Sequence, residues 1–214
     1  MTVYVLELGA LCEKDVDALF DTLPPFRKKE AVRYRHREGF TESVVGFCLV
    51  RYALKQLDQK VNADAWSIAE NGKPYLATGA PFFNLTHTAH CVAVAVSKRC
   101  EVGIDIEQIK PRSTGFTKRF YSAQEQSAIQ ASPDPTSEAI RLWSAKEAEA
   151  KRSGKGIARD TREIPLETVQ SVPVTVGGVP HWLSVSPAKE TPQIVWVDKK
   201  ELFSKKAEFW MQKV

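Results

Sequence analysis

Glu101-Val102-Gly103-Ile104-Asp105-Ile106-Glu107 alternates apolar Val102, Ile104 and Ile106 with Gly103, Asp105 and Glu107. A two-residue period marks a strand. Asp105 and Glu107 then share a face, with α-carbons about 7 Å apart. Two carboxylates that close repel each other unless something positive sits between them. A hard divalent cation such as magnesium suits the pair, since it takes oxygen ligands and keeps waters that a substrate can replace. The polar face of a half-solvated antiparallel strand would show the same pattern.

A second stretch weighs against that simpler reading. Ile140-Arg141-Leu142-Trp143-Ser144-Ala145-Lys146-Glu147-Ala148-Glu149-Ala150-Lys151 is rich in helix formers. At 3.6 residues per turn, Ile140, Trp143, Glu147 and Lys151 fall on one stripe, flanked by Ala139 and Ala150. Arg141, Ala145 and Glu149 fall on the far side. An acid and a base therefore sit within the most apolar face. Charges there are costly unless they are paired or bind something. A buried Glu147–Lys151 pair at i, i+4 is one solution. The other pools Asp105, Glu107 and Glu147 as metal ligands and leaves Lys151 for a phosphate, which is a phosphoryl-transfer set.

Composition is compatible with this chemistry. The chain has 214 residues, 43% hydrophobic and 26% charged, ordinary values for a globular protein of one domain or two small ones. The net charge of +4 and pI near 8.8 favour an anionic ligand but are too weak to imply nucleic acid. Apolar runs fall far short of the about 20 residues of a membrane span. Met1 to Leu11 contains Glu7 and no basic leader, so it reads as a first strand. Cys12, Cys48, Cys91 and Cys100 form no C-x-x-C pair, as expected of free thiols in a reducing cytoplasm.

Along the chain, Pro24-Pro25 admits a helix near Phe26, followed by basic residues from Arg27 to Arg37. These suit either a solvated face or a phosphate-binding surface. Gly39 is expected to end that element, and Thr41 to Leu57 to form the core helix of the first half. Asn71-Gly72-Lys73-Pro74 is a turn that presents Lys73. Phe82–Thr86 and Cys91–Ser97 form a hairpin across His87 to His90. His87 suits a phosphate contact, and His90 is expected at the surface; the His87-to-Cys91 stretch lacks zinc-ligand spacing. Thr114–Phe120 and Ser122–Ala131 are short helices, the second opened by a Ser122/Glu125 capping box. Glu167–Val172, His181–Ser186 and Gln193–Val197 are expected to share one antiparallel sheet, with a turn at Gly177-Gly178. Glu201 to Val214 is expected to pack back through Phe203, Phe209 and Trp210. Helices beside antiparallel strands in each half imply an α+β fold of two similar lobes.

The order Gly72-Lys73-Pro74, Phe83-Asn84-Leu85-Thr86-His87, Gly103-Ile104-Asp105-Ile106-Glu107, Phe120-x4-Glu125 and Trp143-Ser144-Ala145-Lys146-Glu147-Ala148-x2-Lys151 resembles the 4'-phosphopantetheinyl transferases. Over residues 1 to 160 the resemblance is to the two-lobed, single-chain type that activates peptide and siderophore synthetases. It implies two pseudosymmetric α/β lobes with antiparallel sheets and an active site between them. Residues 1–100 would form the coenzyme A lobe, and 101–214 the lobe carrying metal and catalytic residues. The implied reaction moves the phosphopantetheine arm of coenzyme A onto a serine of an apo carrier protein and releases adenosine 3',5'-bisphosphate. By the same resemblance Asp105, Glu107 and Glu147 hold Mg2+, Glu147 or a water it holds is the base, and Lys151 stabilises phosphate charge. Lys73, Thr86 and His87 match coenzyme A contacts, with Asp105 beside them, and Arg27 with Ser43 match contacts to the 3'-phosphate. A cytoplasmic monomer is implied.

The chain departs from this pattern at three places. Gly39-Phe40-Thr41-Glu42 stands where the family usually carries Asp and Arg, and Glu42 would repel a 3'-phosphate. Glu30 adds a second acid. Glu149-Ala150 stands where an aromatic or leucine pair is usual, which would loosen the helix or alter the carrier-binding surface. Two other functions fit parts of the pattern. One is a degenerate module that binds coenzyme A or a carrier without turnover. The other is a Mg-dependent nuclease, for which a stronger basic stripe is expected.

Overall fold

The computed structural model describes residues 1–57, 65–154, 161–188 and 191–203. In chain order the elements are β1 (Thr2–Glu7), α1 (Glu13–Asp21), α2 (Pro25–Ala31), α3 (Arg37–Lys55), β2 (Trp66–Ile68), β3 (Pro74–Leu76), β4 (Phe82–His87) and β5 (Cys91–Ser97). After them come β6 (Gly103–Gln108), α4 (Thr114–Phe120), α5 (Ala123–Ala131), α6 (Pro135–Ser153), β7 (Gln170–Val176), β8 (Val179–Ser186), β9 (Gln193–Trp196) and α7 (Lys199–Leu202). The expected α+β class holds, built largely from antiparallel sheets.

Alternation along the strands generates four layers. Tyr4, Leu6, Val92, Val94 and Val96 point from one face of the sheet β4-β5-β1-β9 into a core shared with α1 and α3. Val3, Val5, Cys91, Ala93 and Ala95 point from the other face onto Ile104, Ile106, Leu183 and Val185 of the sheet β6-β8-β7. That second sheet is covered on its far face by α6. Both sheets are thus buried on two sides, which explains why β1 and β5 read as nearly continuous apolar runs.

One residue of the opening stretch is dictated by this stacking. A Cβ on Gly103 would lie 1.9 Å from the Ala148 carbonyl oxygen and 2.5 Å from the Arg152 nitrogen. Only glycine lets β6 approach the backbone of α6 this closely.

Several expectations need correcting. Gly39 does not end an element: α3 begins at Arg37 and runs through it, and a Cβ there would strike the Tyr34 ring at 2.6 Å. The glycine leaves room for the Tyr34 ring, which lies over it and is otherwise exposed. Gln193–Trp196 is a strand, but it pairs parallel with β1 and not with β7 or β8. Alternation specifies a strand without naming its partner. The far side of α6 is not exposed either. Ala145 is 2% and Glu149 5% accessible, because the helix is covered on that side as well. Glu149 donates nothing to solvent there; it accepts from Arg152 and Ser186 and is part of the packing. His90 is half-buried, with its ring edge-on to His181 at 5.4 Å. Phe203 remains 40% exposed, and Phe209 and Trp210 lie outside the described residues.

Candidate active site

One edge of the first sheet is β4, and the site is built along it. Successive β4 side chains alternate sides. Phe83 joins the α3 core, while Asn84 and Thr86 point to β6 and α6. Asn84 is buried, and its Oδ1 accepts from the Ile104 N–H at 3.1 Å. This bond fixes the two sheets against each other one residue from Asp105.

At the junction Lys151 Nζ donates to Asp105 Oδ1 at 2.7 Å and to Thr86 Oγ1 at 3.2 Å. Thr86 Oγ1 in turn lies 3.3 Å from Asp105 Oδ1. Three elements thereby meet at one ammonium group. Asp105 Oδ2 is buried and has no hydrogen-bond partner among the described residues. Two residues along β6, Glu107 accepts from Trp143 Nε1 at 3.1 Å and from Arg112 at 2.8 Å. Trp143 is itself clamped by Phe116 and Phe120, so α4 orients Glu107 through the indole.

Glu147 completes the set from α6. Burial, followed by the Asp105 and Glu107 charges, pushes its carboxyl up to about 7, with Lys151 opposing. Burial and then Asp105 also raise Glu107, against Arg112, Trp143 and Lys151. Carboxylates hindered in this way gain most from a bound cation. Among the described residues no three acidic, His or Cys side chains are gathered into a ready-made metal cage; Arg112 pairs with Glu107, and Lys151 with one oxygen of Asp105. The unpartnered Asp105 Oδ2 and the two raised carboxyls nevertheless suit a divalent cation that would take Asp105, Glu107 and Glu147 as ligands.

A cavity of about 260 Å³ adjoins this junction, lined by Lys73, Pro74, Leu85, Glu147 and Lys151 among others. Its rim is the Asn71–Pro74 turn, held to the end of α6. Asn71 Nδ2 donates to the Gly154 carbonyl at 2.6 Å. Lys73 Nζ donates to Glu101 at 2.7 Å and approaches the Arg152 carbonyl at 3.4 Å. Gly154 can close the helix because its φ of 69° is left-handed. A lysine also suits the negative end of a helix.

The remaining predicted contacts lie towards α2 and α3. Arg27 donates to Ser43 Oγ at 3.0 Å and stacks over Phe47 and Trp66, which lowers its pKa through burial. His87 Nδ1 lies 3.2 Å from Glu42 Oε2. The structure thus brings Thr86, Asp105, Lys151, Glu147 and Glu107 together, sets Lys73 on the cavity rim, and groups Arg27 with Ser43 and His87 with Glu42.

The motif positions Lys146 and Glu125 turn out to support the site from behind. Lys146 is fully buried, 2.7 Å from Glu125 and 2.6 Å from the Thr161 carbonyl that accepts from it. The other Glu125 oxygen accepts from the Ser122 N–H at 2.7 Å. Arg112, Trp143 and Asn84 as positioning groups were not read from the sequence, although Asn84 and Trp143 lie inside its motifs.

Similarity to known proteins identifies the family. The profile of the 4'-phosphopantetheinyl transferase superfamily matches residues 101–193. The 4'-phosphopantetheinyl transferase psf-1 of Bacillus pumilus is 32% identical over 166 residues, covering 74% of this chain and 71% of the relative. The 4'-phosphopantetheinyl transferase Sfp of Bacillus subtilis (strain 168) is 30% identical over 162 residues, covering 74% and 70%. HetI of Nostoc, also named a 4'-phosphopantetheinyl transferase, is 33% identical over 119 residues, 52% of this chain and 50% of its own length. The chain belongs to the 4'-phosphopantetheinyl transferases and is an enzyme of that family. No described helix is long and apolar enough to cross a membrane.

Proposed function

We propose that this chain transfers the 4'-phosphopantetheine group of coenzyme A to a serine of an apo carrier protein, in a Mg2+-dependent reaction that releases adenosine 3',5'-bisphosphate. The observation that carries the reading is the meeting of Lys151, Asp105 and Thr86 beside Glu147 at the edge of β4. The pyrophosphate would lie here, and Lys151 would neutralise charge on it. The serine oxygen attacks the phosphorus bearing the pantetheine arm, and the bond from that phosphorus to the bridging oxygen breaks. Glu147 takes the serine proton, and the electron pair leaves with the bisphosphate. Mg2+ held by Asp105, Glu107 and Glu147 would offset the charge that develops on the phosphate oxygens.

In this reading residues 1–100 form the coenzyme A lobe, with Arg27, Ser43, Lys73, Thr86 and His87. Residues 101–214 form the lobe with the metal and catalytic side chains. Both sides of the cleft come from one chain, which supports a monomer. The four free thiols support a cytoplasmic location, and the modest net charge favours a small anionic substrate over nucleic acid.

The test is the intact mass of an apo carrier protein after incubation with this chain, Mg2+ and coenzyme A. A gain of one phosphopantetheine, lost with Glu147→Ala or with chelator, is expected. Coenzyme A binding without any gain on acyl, peptidyl or aryl carriers would overturn the reading in favour of a binding module.

A further inference from the structure

We propose that Glu42 is a specificity-determining residue that weakens recognition of the terminal 3'-phosphate of coenzyme A; the inference rests on the coenzyme A reading above.

The two ends of the cleft are matched differently. At one end Lys151 faces a carboxylate with an unpartnered oxygen. At the other end the groups that could meet an anion already have partners within the chain. His87 Nδ1 is 3.2 Å from Glu42, whose side chain is 20% exposed against 49% for His87. The acid therefore sits on the inner side and the imidazole on the outer. One residue further along α3, Ser43 takes a guanidinium nitrogen of Arg27, and the Glu30 charge one turn away favours the charged guanidinium.

Thr86 and His87 are consecutive on β4, and the first touches Lys151 while the second touches Glu42. The two side chains lie on opposite faces of β4, and by the coenzyme A reading above the nucleotide runs from Lys151 across this edge to the α2–α3 side, where His87 faces Glu42. A 3'-phosphate is a monoester whose second ionisation lies near pH 6, so it arrives close to doubly charged. It must displace Glu42 from the imidazole or lie beside the carboxylate, and like charges at contact distance repel. The Arg27 Nε, buried and without a partner among the described residues, remains as a donor to such an anion. The 3'-phosphate thus gains one contact and loses much of it to Glu42, so the chain discriminates weakly between coenzyme A and 3'-dephospho-coenzyme A.

The experiment measures kcat/KM for both substrates with an apo carrier, in the wild type and in Glu42→Gln. The wild type is expected to favour coenzyme A by less than about fivefold. E42Q should raise that preference roughly five- to tenfold, the scale of one partly screened charge contact, acting on KM and leaving kcat in place. His87→Ala in the E42Q background should erase the gain. A wild-type preference above about a hundredfold, or a preference unmoved by E42Q, overturns the proposal. Transfer from neither substrate by the wild type would sink the transferase reading instead. In that event the ratio of the two dissociation constants, measured by calorimetry on the same two proteins, decides the role of Glu42 by the same thresholds.

Discussion

Lys146 and Glu147 are neighbours on α6, both charged, and the fold treats them in opposite ways. Lys146 is fully buried and fully answered, by Glu125 and by the Thr161 carbonyl. Glu147 is half-buried beside two other carboxylates, and burial holds its carboxyl up at about 7. The first arrangement fastens α5 and the segment at Thr161 to α6. The second keeps charge under tension beside a cavity. A buried ionic group with every partner present marks the frame of the protein, and one with too few marks the place where a ligand is expected.

That contrast can be broken most severely at Lys146. Lys146→Met leaves the Glu125 carboxylate and the Thr161 carbonyl without their donor, and should cost about 3–5 kcal/mol. Urea unfolding measures it; an unchanged midpoint would mean that the buried pair is not part of the frame. Glu147→Gln should do the reverse, with stability nearly unchanged and transfer reduced at least about a hundredfold, near 2.7 kcal/mol in the barrier. Turnover comparable to the wild type would remove Glu147 from the chemistry. Gly103→Ala should damage both properties together, because a Cβ meets the Ala148 carbonyl at 1.9 Å. Levering β6 from α6 should cost about 1–3 kcal/mol, with activity falling as the Asp105–Lys151 contact opens. A variant as stable as the wild type would show that the two backbones are not in tight contact.

The smallest effect is expected at His181, a buried group whose Nε2 has no partner among the described residues. Burial lowers its pKa, with the Val179 carbonyl opposing and His90 assisting. The unfolded chain therefore binds this proton more readily than the folded one. Stability should be complete above the ordinary histidine range near 6.5 and decline as pH falls below it. Thermal melts between pH 8 and pH 5 should show the decline, and His181→Phe should flatten it. An identical slope in both proteins would assign the acid sensitivity elsewhere.

The legible parts of the site share one property: their periodicity conflicts with their chemistry. Carboxylates on an alternating strand and an acid–base pair on an apolar helical stripe are both visible as conflicts, and Asp105, Glu107, Glu147 and Lys151 do converge. The burial of Glu149 and Lys146 on α6 was not legible, because a helical wheel names no covering partner. Their burial follows from covering elements, Glu125 and Ser186, distant in sequence. The sheet partner of Gln193–Trp196 was hidden for a similar reason, since two sheets lay within reach. Glu42 was visible as an acid out of place, but its imidazole partner appears only once α3 and β4 are packed.

The parallel pairing of β9 with β1 has a consequence for the order of assembly. During synthesis the edge of Thr2–Val5 that β9 will cover is made about 190 residues before its partner, Gln193–Trp196. Joining segments this far apart in the chain is slow compared with closing local hairpins. Until residue 193 has left the ribosome, β1 carries an open edge able to pair with a neighbour. Chains halted short of residue 193 therefore keep this edge of β1 open and are the species most exposed to misassociation.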